Sequence, residues 1–102
     1  MLLKAHGHNV ELTDSLDAHI TDRFKAALDQ YDRIVQEITV RLEDVNGPKG
    51  GVDKRCHVTI HLRSGSTIVV DEVQADMFAA VSVAADRSKQ VVGRKLERIR
   101  EK

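Results

Sequence analysis

The C-terminal segment 76–102, DMFAAVSVAADRSKQVVGRKLERIREK, constrains the fold more than any other stretch of this chain. Placed on a helix at about 100° per residue, its small and apolar residues share one face. That face consists of Met77, Val81, Ala84, Ala85, Ser88, Val91, Val92 and Ile99. A lone helix gains little stability from helix propensity, so this face must pack on other elements. The segment therefore predicts a long amphipathic helix that lies against the rest of the protein.

The same segment is strongly basic. From residue 87 onward it contains seven Lys and Arg and two Glu, a net charge of +5, whereas the whole chain is neutral. Residues 1–86 therefore carry −5. Arg87, Arg94 and Arg98 fall on one flank of the predicted helix, and Lys89 falls on the other. A basic flank on an otherwise acidic protein indicates a polyanionic partner; the alternative is a solvated helix end, where cations are favoured.

Two segments upstream predict a first strand and a first helix. Residues 2–6 are short and apolar-leaning and predict a strand, which a turn at 7–9 then ends. Thr13 suits a helix N-terminus because its hydroxyl can accept a hydrogen bond from a free backbone N–H group. Apolar residues recur at helical spacing from Leu16 to Tyr31, which predicts an amphipathic helix of about four to five turns.

Period-two alternation predicts three further strands, at 34–43, 54–63 and 67–73, the last two joined by a tight turn at 64–66. The predicted inward residues of the first are Ile34, Gln36, Ile38, Val40 and Leu42. Those of the second are Cys56, Val58, Ile60 and Leu62. The Gly-rich segment 46–53, which holds the only Pro, predicts a loop.

The predicted order, β-α-β-β-β-α, indicates a single α+β domain that covers residues 1–102. A strand-helix-strand unit with parallel strands needs a right-handed crossover, and the next two strands continue as an antiparallel meander. Both amphipathic helices then cover one face of a four-stranded sheet, which gives a two-layer sandwich. The clean alternation predicts that the other face stays exposed to solvent.

Three local strings carry a resemblance to a known family: GHNVELT at 7–13, YDRI at 31–34 and DMFAAV at 76–81. With the element order, they resemble the ribosome hibernation promoting factors, also called ribosome-associated inhibitors or sigma-54 modulation proteins. The resemblance implies a double-stranded-RNA-binding-like fold and a short form without the extra dimerising domain. It implies docking in the decoding channel of the small ribosomal subunit, which inhibits translation by occlusion without chemistry.

The family's basic positions match this chain in part. The matching residues are Arg23, Arg87, Arg94 and Lys95. The departures are Ala26 and Gln90 in place of basic residues, Phe78 in place of Tyr and Ser82 in place of Asp. The residues expected to contact ribosomal RNA phosphates are Arg23, Arg87, Lys89, Arg94, Lys95 and Arg98. The departures keep open a second function, a regulatory protein–protein module on the same fold with weaker RNA binding.

The sequence offers no constellation for catalysis or metal binding. His57 and His61 lie about 13 Å apart on a strand, too far to share a zinc ion that needs three or four converging ligands. Cys56 faces the predicted core and His57 the opposite side, so they form no catalytic dyad. We therefore predict no enzyme activity, cofactor, metal or small-molecule substrate.

The single Cys fits a reducing compartment, and no apolar run is long enough for a membrane span. The N-terminus also lacks the pattern of a secretory signal. We therefore expect a cytoplasmic protein without a membrane partner, present as a monomer or weak homodimer.

Overall fold

The computed structural model describes residues 1–45 and 53–100, with side chains up to residue 98. It confirms the predicted order of elements. These are β1 (Leu2–His8), α1 (Asp14–Leu28), a 3₁₀ turn (Asp29–Tyr31), β2 (Val35–Asp44), β3 (Lys54–Leu62), β4 (Thr67–Gln74) and α2 (Met77–Arg100). The predicted loop at 46–53 lies outside the described residues, apart from Asp53.

The four strands form one mixed sheet in the order β1-β2-β3-β4. β1 is parallel to β2, and the other two pairs are antiparallel. Both helices contribute to the core on one face of this sheet, and they pack against each other. The predicted α+β sandwich is therefore confirmed. No helix of the described residues is long and apolar enough to cross a membrane.

The core consists of the apolar faces that the periodicity predicts. From α1 it takes Leu16, Ile20, Phe24, Ala27 and Leu28; from β3 it takes Cys56, Val58, Ile60 and Leu62. α2 contributes mainly small residues, which allow its backbone to lie close to the sheet and α1: Ala80, Val81, Ala84, Ala85 and Val92. Ser88 is also buried there, and its hydroxyl is satisfied because it donates a hydrogen bond to the Ala84 carbonyl oxygen at 2.7 Å.

The prediction of which β2 residues face the core is wrong at the start of the strand. Val35 is fully buried, whereas Gln36 is exposed. The register between β2 and β3 shifts between Val35 and Glu37, which is the signature of a bulge. Because a bulge inserts one extra residue, the alternation changes phase there. Ile38, Val40 and Leu42, which follow the bulge, point inward as predicted.

The turn predicted at 7–9 is also wrong for its first two residues, because β1 continues to His8. Only Asn9 leaves the extended conformation, with φ at 58°. A Cβ on Gly7 would clash with the carbonyl oxygen of Val10, so only glycine lets the chain fold back so tightly. The reversal leads to Thr13, whose Oγ1 accepts a hydrogen bond from the backbone N–H of Leu16 and caps α1 as predicted.

Candidate nucleic-acid interface

A polar contact between the helices fixes α1 against the first turns of α2. The Nε2 atom of His19 lies 2.9 Å from the hydroxyl of Ser82 and 3.1 Å from the main-chain oxygen of Phe78. The His19 and Phe78 rings also pack, with their centroids 5.0 Å apart. Phe78 and Ser82 therefore contact the same histidine. Sequence reasoning missed this contact because its partners are some sixty residues apart.

Arg23 projects from α1 toward α2. Its Nη2 atom lies 3.4 Å from Oδ1 of Asp86. Both side chains are largely exposed, at 43% and 68%, and ion pairs of this kind contribute little to stability. The structure thus brings Arg23 beside the basic helix, as the expected site requires, and partly neutralises its charge with an acid from that helix.

Arg87 is tied to the edge strand β4. Its Nη1 atom donates a hydrogen bond to the main-chain oxygen of Asp71 at 3.3 Å and also pairs with the carboxylate of Glu72. Glu72 is mostly buried, whereas Arg87 is half-exposed. Arg87 therefore joins α2 to the sheet, in addition to lying on the predicted basic flank.

Arg94, Lys95 and Arg98 lie together beyond Arg87. They line a groove of about 270 Å³ whose remaining wall is formed by Ile68 of β4 and Val91 of α2. We call this surface the basic groove. Within residues 1–45 and 53–98, no salt bridge is found for any of its three cations. The basic groove is therefore the part of the predicted site with the most uncompensated charge.

Lys89 lies on the other side of α2, as the helical positions predict. It lines a second, wider groove of about 660 Å³ together with Tyr31, Gln90, Gly93 and Arg94. We call this surface the Tyr31 groove. Arg94 stands between the two grooves and lines both of them. Gly93, a glycine inside the predicted C-terminal helix, was the one sequence signal for this groove. The sequence analysis did not use it.

The opposite face of the sheet carries a polar network. Arg55 donates from Nε to Asp71 at 2.8 Å and from Nη1 to Glu43 at 3.3 Å, and His57 Nδ1 lies 3.3 Å from Asp71. The hydrogen bond from Arg55 lowers the pKa of Asp71, and His57 acts in the same direction. Within the described residues, Arg55 is thus paired with two acids, unlike the three cations of the basic groove.

Cys56 lies in the core directly behind this network. Burial, with a smaller contribution from Asp71 and Glu72, raises the pKa of its thiol to about 12. A nucleophilic cysteine needs the opposite shift, because the thiolate is the reactive form. Among the side chains that the structure describes, no three His, Cys, Asp or Glu are arranged to hold a metal ion.

These features define a small two-layer α+β protein with one parallel strand pair and a basic helical edge. The chain belongs to the sigma 54 modulation protein / S30EA ribosomal protein family, whose sequence profile matches residues 3–100. The family resemblance seen in the three local strings is thereby confirmed.

Individual relatives agree with this assignment. The chain is 30% identical to the ribosome hibernation promoting factor of Salmonella typhimurium, over 99% of each protein. It is 26% identical to the chloroplastic ribosome-binding factor PSRP1 of Spinacia oleracea, but it spans only 31% of that protein's length.

Solved structures show the same fold. The N-terminal domain of Protein Y from Thermus thermophilus superposes with a TM-score of 0.72 at 26% identity, covering 89% of this chain and 93% of that one. A ribosomal subunit interface protein from Coxiella burnetii superposes with a TM-score of 0.80 over 95% of this chain and 99% of that one. At 15% identity, the second match shows the fold alone.

Proposed function

We propose that this chain is a non-enzymatic hibernation factor that binds the small ribosomal subunit and occludes its decoding channel. Residues 1–102 act as a single cytoplasmic domain, and inhibition follows from occupancy of the channel without a cofactor or a chemical step. The family and the relatives named for ribosome binding and ribosome hibernation support this proposal. The observation that carries the RNA contact is the convergence of Arg94, Lys95 and Arg98 at the basic groove.

Binding at the basic groove rests on phosphate neutralisation. Lys and Arg that approach an RNA backbone release condensed counterions, so affinity falls steeply as salt rises. Arg94 and Arg98 are four residues apart on α2, about 6 Å along the helix axis, so both can reach one stretch of RNA backbone. Because aromatic residues make up only 3% of the chain, contacts to the RNA backbone and shape supply most of the affinity.

The six expected contact residues differ in how available their charge is. Lys89, Arg94, Lys95 and Arg98 face the two grooves and make the primary contacts. Arg23 and Arg87 contribute less to RNA binding, because each is already paired with an acid of this chain. Arg23 must give up Asp86, and Arg87 must give up Glu72, before it can bind a phosphate.

Cosedimentation with purified small subunits across a salt series tests the proposal. We expect wild-type binding that weakens steeply with salt, and we expect Arg94→Glu combined with Arg98→Glu to abolish it. The matched control is Lys25→Glu combined with Arg41→Glu, which changes the net charge equally at exposed positions of α1 and β2. Equal loss in both double variants, or no wild-type binding at low salt, would contradict the proposal.

The acidic exposed face of α1 favours a second candidate, a regulatory protein–protein module. Asp14 and Asp22 are exposed on α1, Asp29 is exposed in the 3₁₀ turn that follows it, and Ala26 is exposed without a charge. Such a module would bind a protein partner with little dependence on salt. A pull-down that recovers only ribosomal components would count against it.

A further inference from the structure

The Tyr31 groove lies between the 3₁₀ turn that follows α1 and the C-terminal half of α2. Tyr31 is the only tyrosine of the chain. Its ring is partly buried and packs against the edge of the core. The groove is open to solvent along the exposed side of α2, where Gln90 reaches it. It therefore offers one aromatic surface at the rim of a basic helix.

Gly93 lets Tyr31 approach the helix backbone. A Cβ at this position would lie 2.9 Å from the hydroxyl oxygen of Tyr31 and 3.7 Å from its Cζ atom. The first distance is shorter than real Cβ contacts, so any larger residue must displace the phenol. Glycine in a helix interior costs stability relative to alanine. Tyr31 accounts for this cost, because its hydroxyl takes the space that a side chain at position 93 would need.

The charges around the groove suit a ligand with a neutral centre and anionic ends. Lys89 and Arg94 supply cations on its two sides. Of the two acids that also line it, Asp86 is already paired with Arg23, and Glu97 lies one turn beyond Gly93. The amide of Gln90, which also lines the groove, can both donate and accept hydrogen bonds. A nucleotide combines these properties, because it has a planar polar base and flanking phosphates.

We propose that the Tyr31 groove holds one unpaired nucleotide of the RNA that lies on the basic groove, an inference that rests on the proposed function. The base packs against the Tyr31 ring, Gln90 hydrogen-bonds to the base edge, and the adjoining phosphates meet Lys89 and Arg94. Because Arg94 lines both grooves, one RNA strand can pass continuously from the basic groove to the Tyr31 groove. This contact adds recognition of an extruded base to a surface that otherwise reads the backbone.

Titration of the isotope-labelled full chain with 5′-mononucleotides tests the groove independently of the ribosome. The probes are AMP, GMP, CMP and UMP at up to about 10 mM, where even millimolar affinity is detectable. Ribose 5-phosphate is the matched probe without a base. We expect chemical-shift changes at Gly93, Gln90 and Tyr31 with at least one nucleotide, absent with ribose 5-phosphate and lost in Gly93→Leu. Equal changes with ribose 5-phosphate, or none with any nucleotide, would overturn the inference.

Measurements of binding to the small subunit distinguish a failure of this inference from a failure of the proposed function. We expect Gly93→Leu and Gln90→Ala each to weaken binding, with the former losing about tenfold because one stacked base is lost. Resonances of the core around Cys56 report whether each variant keeps its fold. If both folded variants bind like wild type while Arg94→Glu does not, the groove inference fails and the proposed function stands. If the wild-type chain itself does not bind, the proposed function fails, and the nucleotide titration still decides whether the groove binds a base.

Discussion

The guanidinium of Arg23 on α1 lies 3.4 Å from the carboxylate of Asp86 on α2, so an acid of this chain competes for a cation that the proposed function assigns to RNA phosphate. Asp86→Asn removes this competitor and frees the positive charge of Arg23. We expect the variant to bind small subunits a few times more tightly at low salt. We also expect a steeper salt dependence, by roughly one unit of log–log slope for one added phosphate contact. Cosedimentation across a salt series measures both.

Asp22→Asn is the control for this prediction, because Asp22 is exposed on α1 and the net charge changes equally. A general effect of net charge would make the two variants equally tight binders. The proposed competition requires that Asp86→Asn exceed Asp22→Asn in both affinity and salt slope.

Arg87 and Arg94 should differ in what each contributes to the fold. Arg87→Ala removes the hydrogen bond to the Asp71 carbonyl and the pair with Glu72. We expect a loss of roughly 0.5–1 kcal/mol in the free energy of unfolding, a modest value because Arg87 is half-exposed. Arg94→Ala removes no ion pair found in the described part of the chain, and it should change stability by less than about 0.5 kcal/mol. Urea unfolding measures the difference.

Small-subunit binding should rank these two variants in the opposite order. Arg94 faces both grooves with its charge available, so its loss should weaken binding more than the loss of Arg87. A result in which Arg87→Ala costs more affinity and less stability than Arg94→Ala would reverse the assignment of roles.

Cys56 should be inert in the folded protein. Because burial raises the pKa of its thiol to about 12, almost no thiolate forms at pH 8. We expect the native chain to react with a disulfide reagent such as dithionitrobenzoate only as fast as it unfolds, and urea to restore ordinary reactivity. Rapid labelling of the native chain at pH 8 would contradict the core position of Cys56.

The same pKa shift predicts a loss of stability at high pH. The unfolded thiol ionises near its ordinary pKa of 9.0, whereas the folded thiol stays neutral up to about 12. The resulting stabilisation is present below pH 9 and is lost progressively between these two values. Cys56→Ala should therefore show a flatter decline than wild type when unfolding is measured from pH 8 to pH 11.

The sequence predicted the faces of elements with unbroken periodicity. In β3, nine alternating residues placed Cys56 and its neighbours in the core without error. In β2 the same rule failed at Val35 and Gln36, because a bulge changes the phase and leaves no mark in the alternation itself. Gly7 was assigned to a turn for its residue type, although it lies inside β1, one residue before the strand ends, where the Val10 carbonyl approaches it.

The relative positions of the candidate site residues were predictable along one helix and not between elements. Helical spacing correctly placed Arg94 beside Arg98 and Lys89 away from Arg98, because the geometry of a single helix follows from residue number. It did not show that Arg94 also lines a groove with Lys89. The partners of Arg23 and Arg87 come from other elements, and no local pattern reveals that Asp86 and Glu72 lie beside them. The contact of Tyr31 with Gly93 depends on the packing of the 3₁₀ turn against α2 in the same way.

Asp71 should contribute to stability at neutral pH and lose this contribution in acid. The hydrogen bond from Arg55 is the largest cause that lowers the pKa of Asp71 below its ordinary value of 3.8, and His57 adds to it. A carboxylate whose folded pKa is depressed stabilises the fold above its unfolded pKa, and this stabilisation disappears as the pH falls through the folded pKa. Asp71→Asn should therefore lower the free energy of unfolding at pH 6 and flatten its decline below pH 4. Urea unfolding from pH 2 to pH 6 measures both, and parallel curves for the two proteins would show that the Arg55–Asp71 contact adds nothing to the fold.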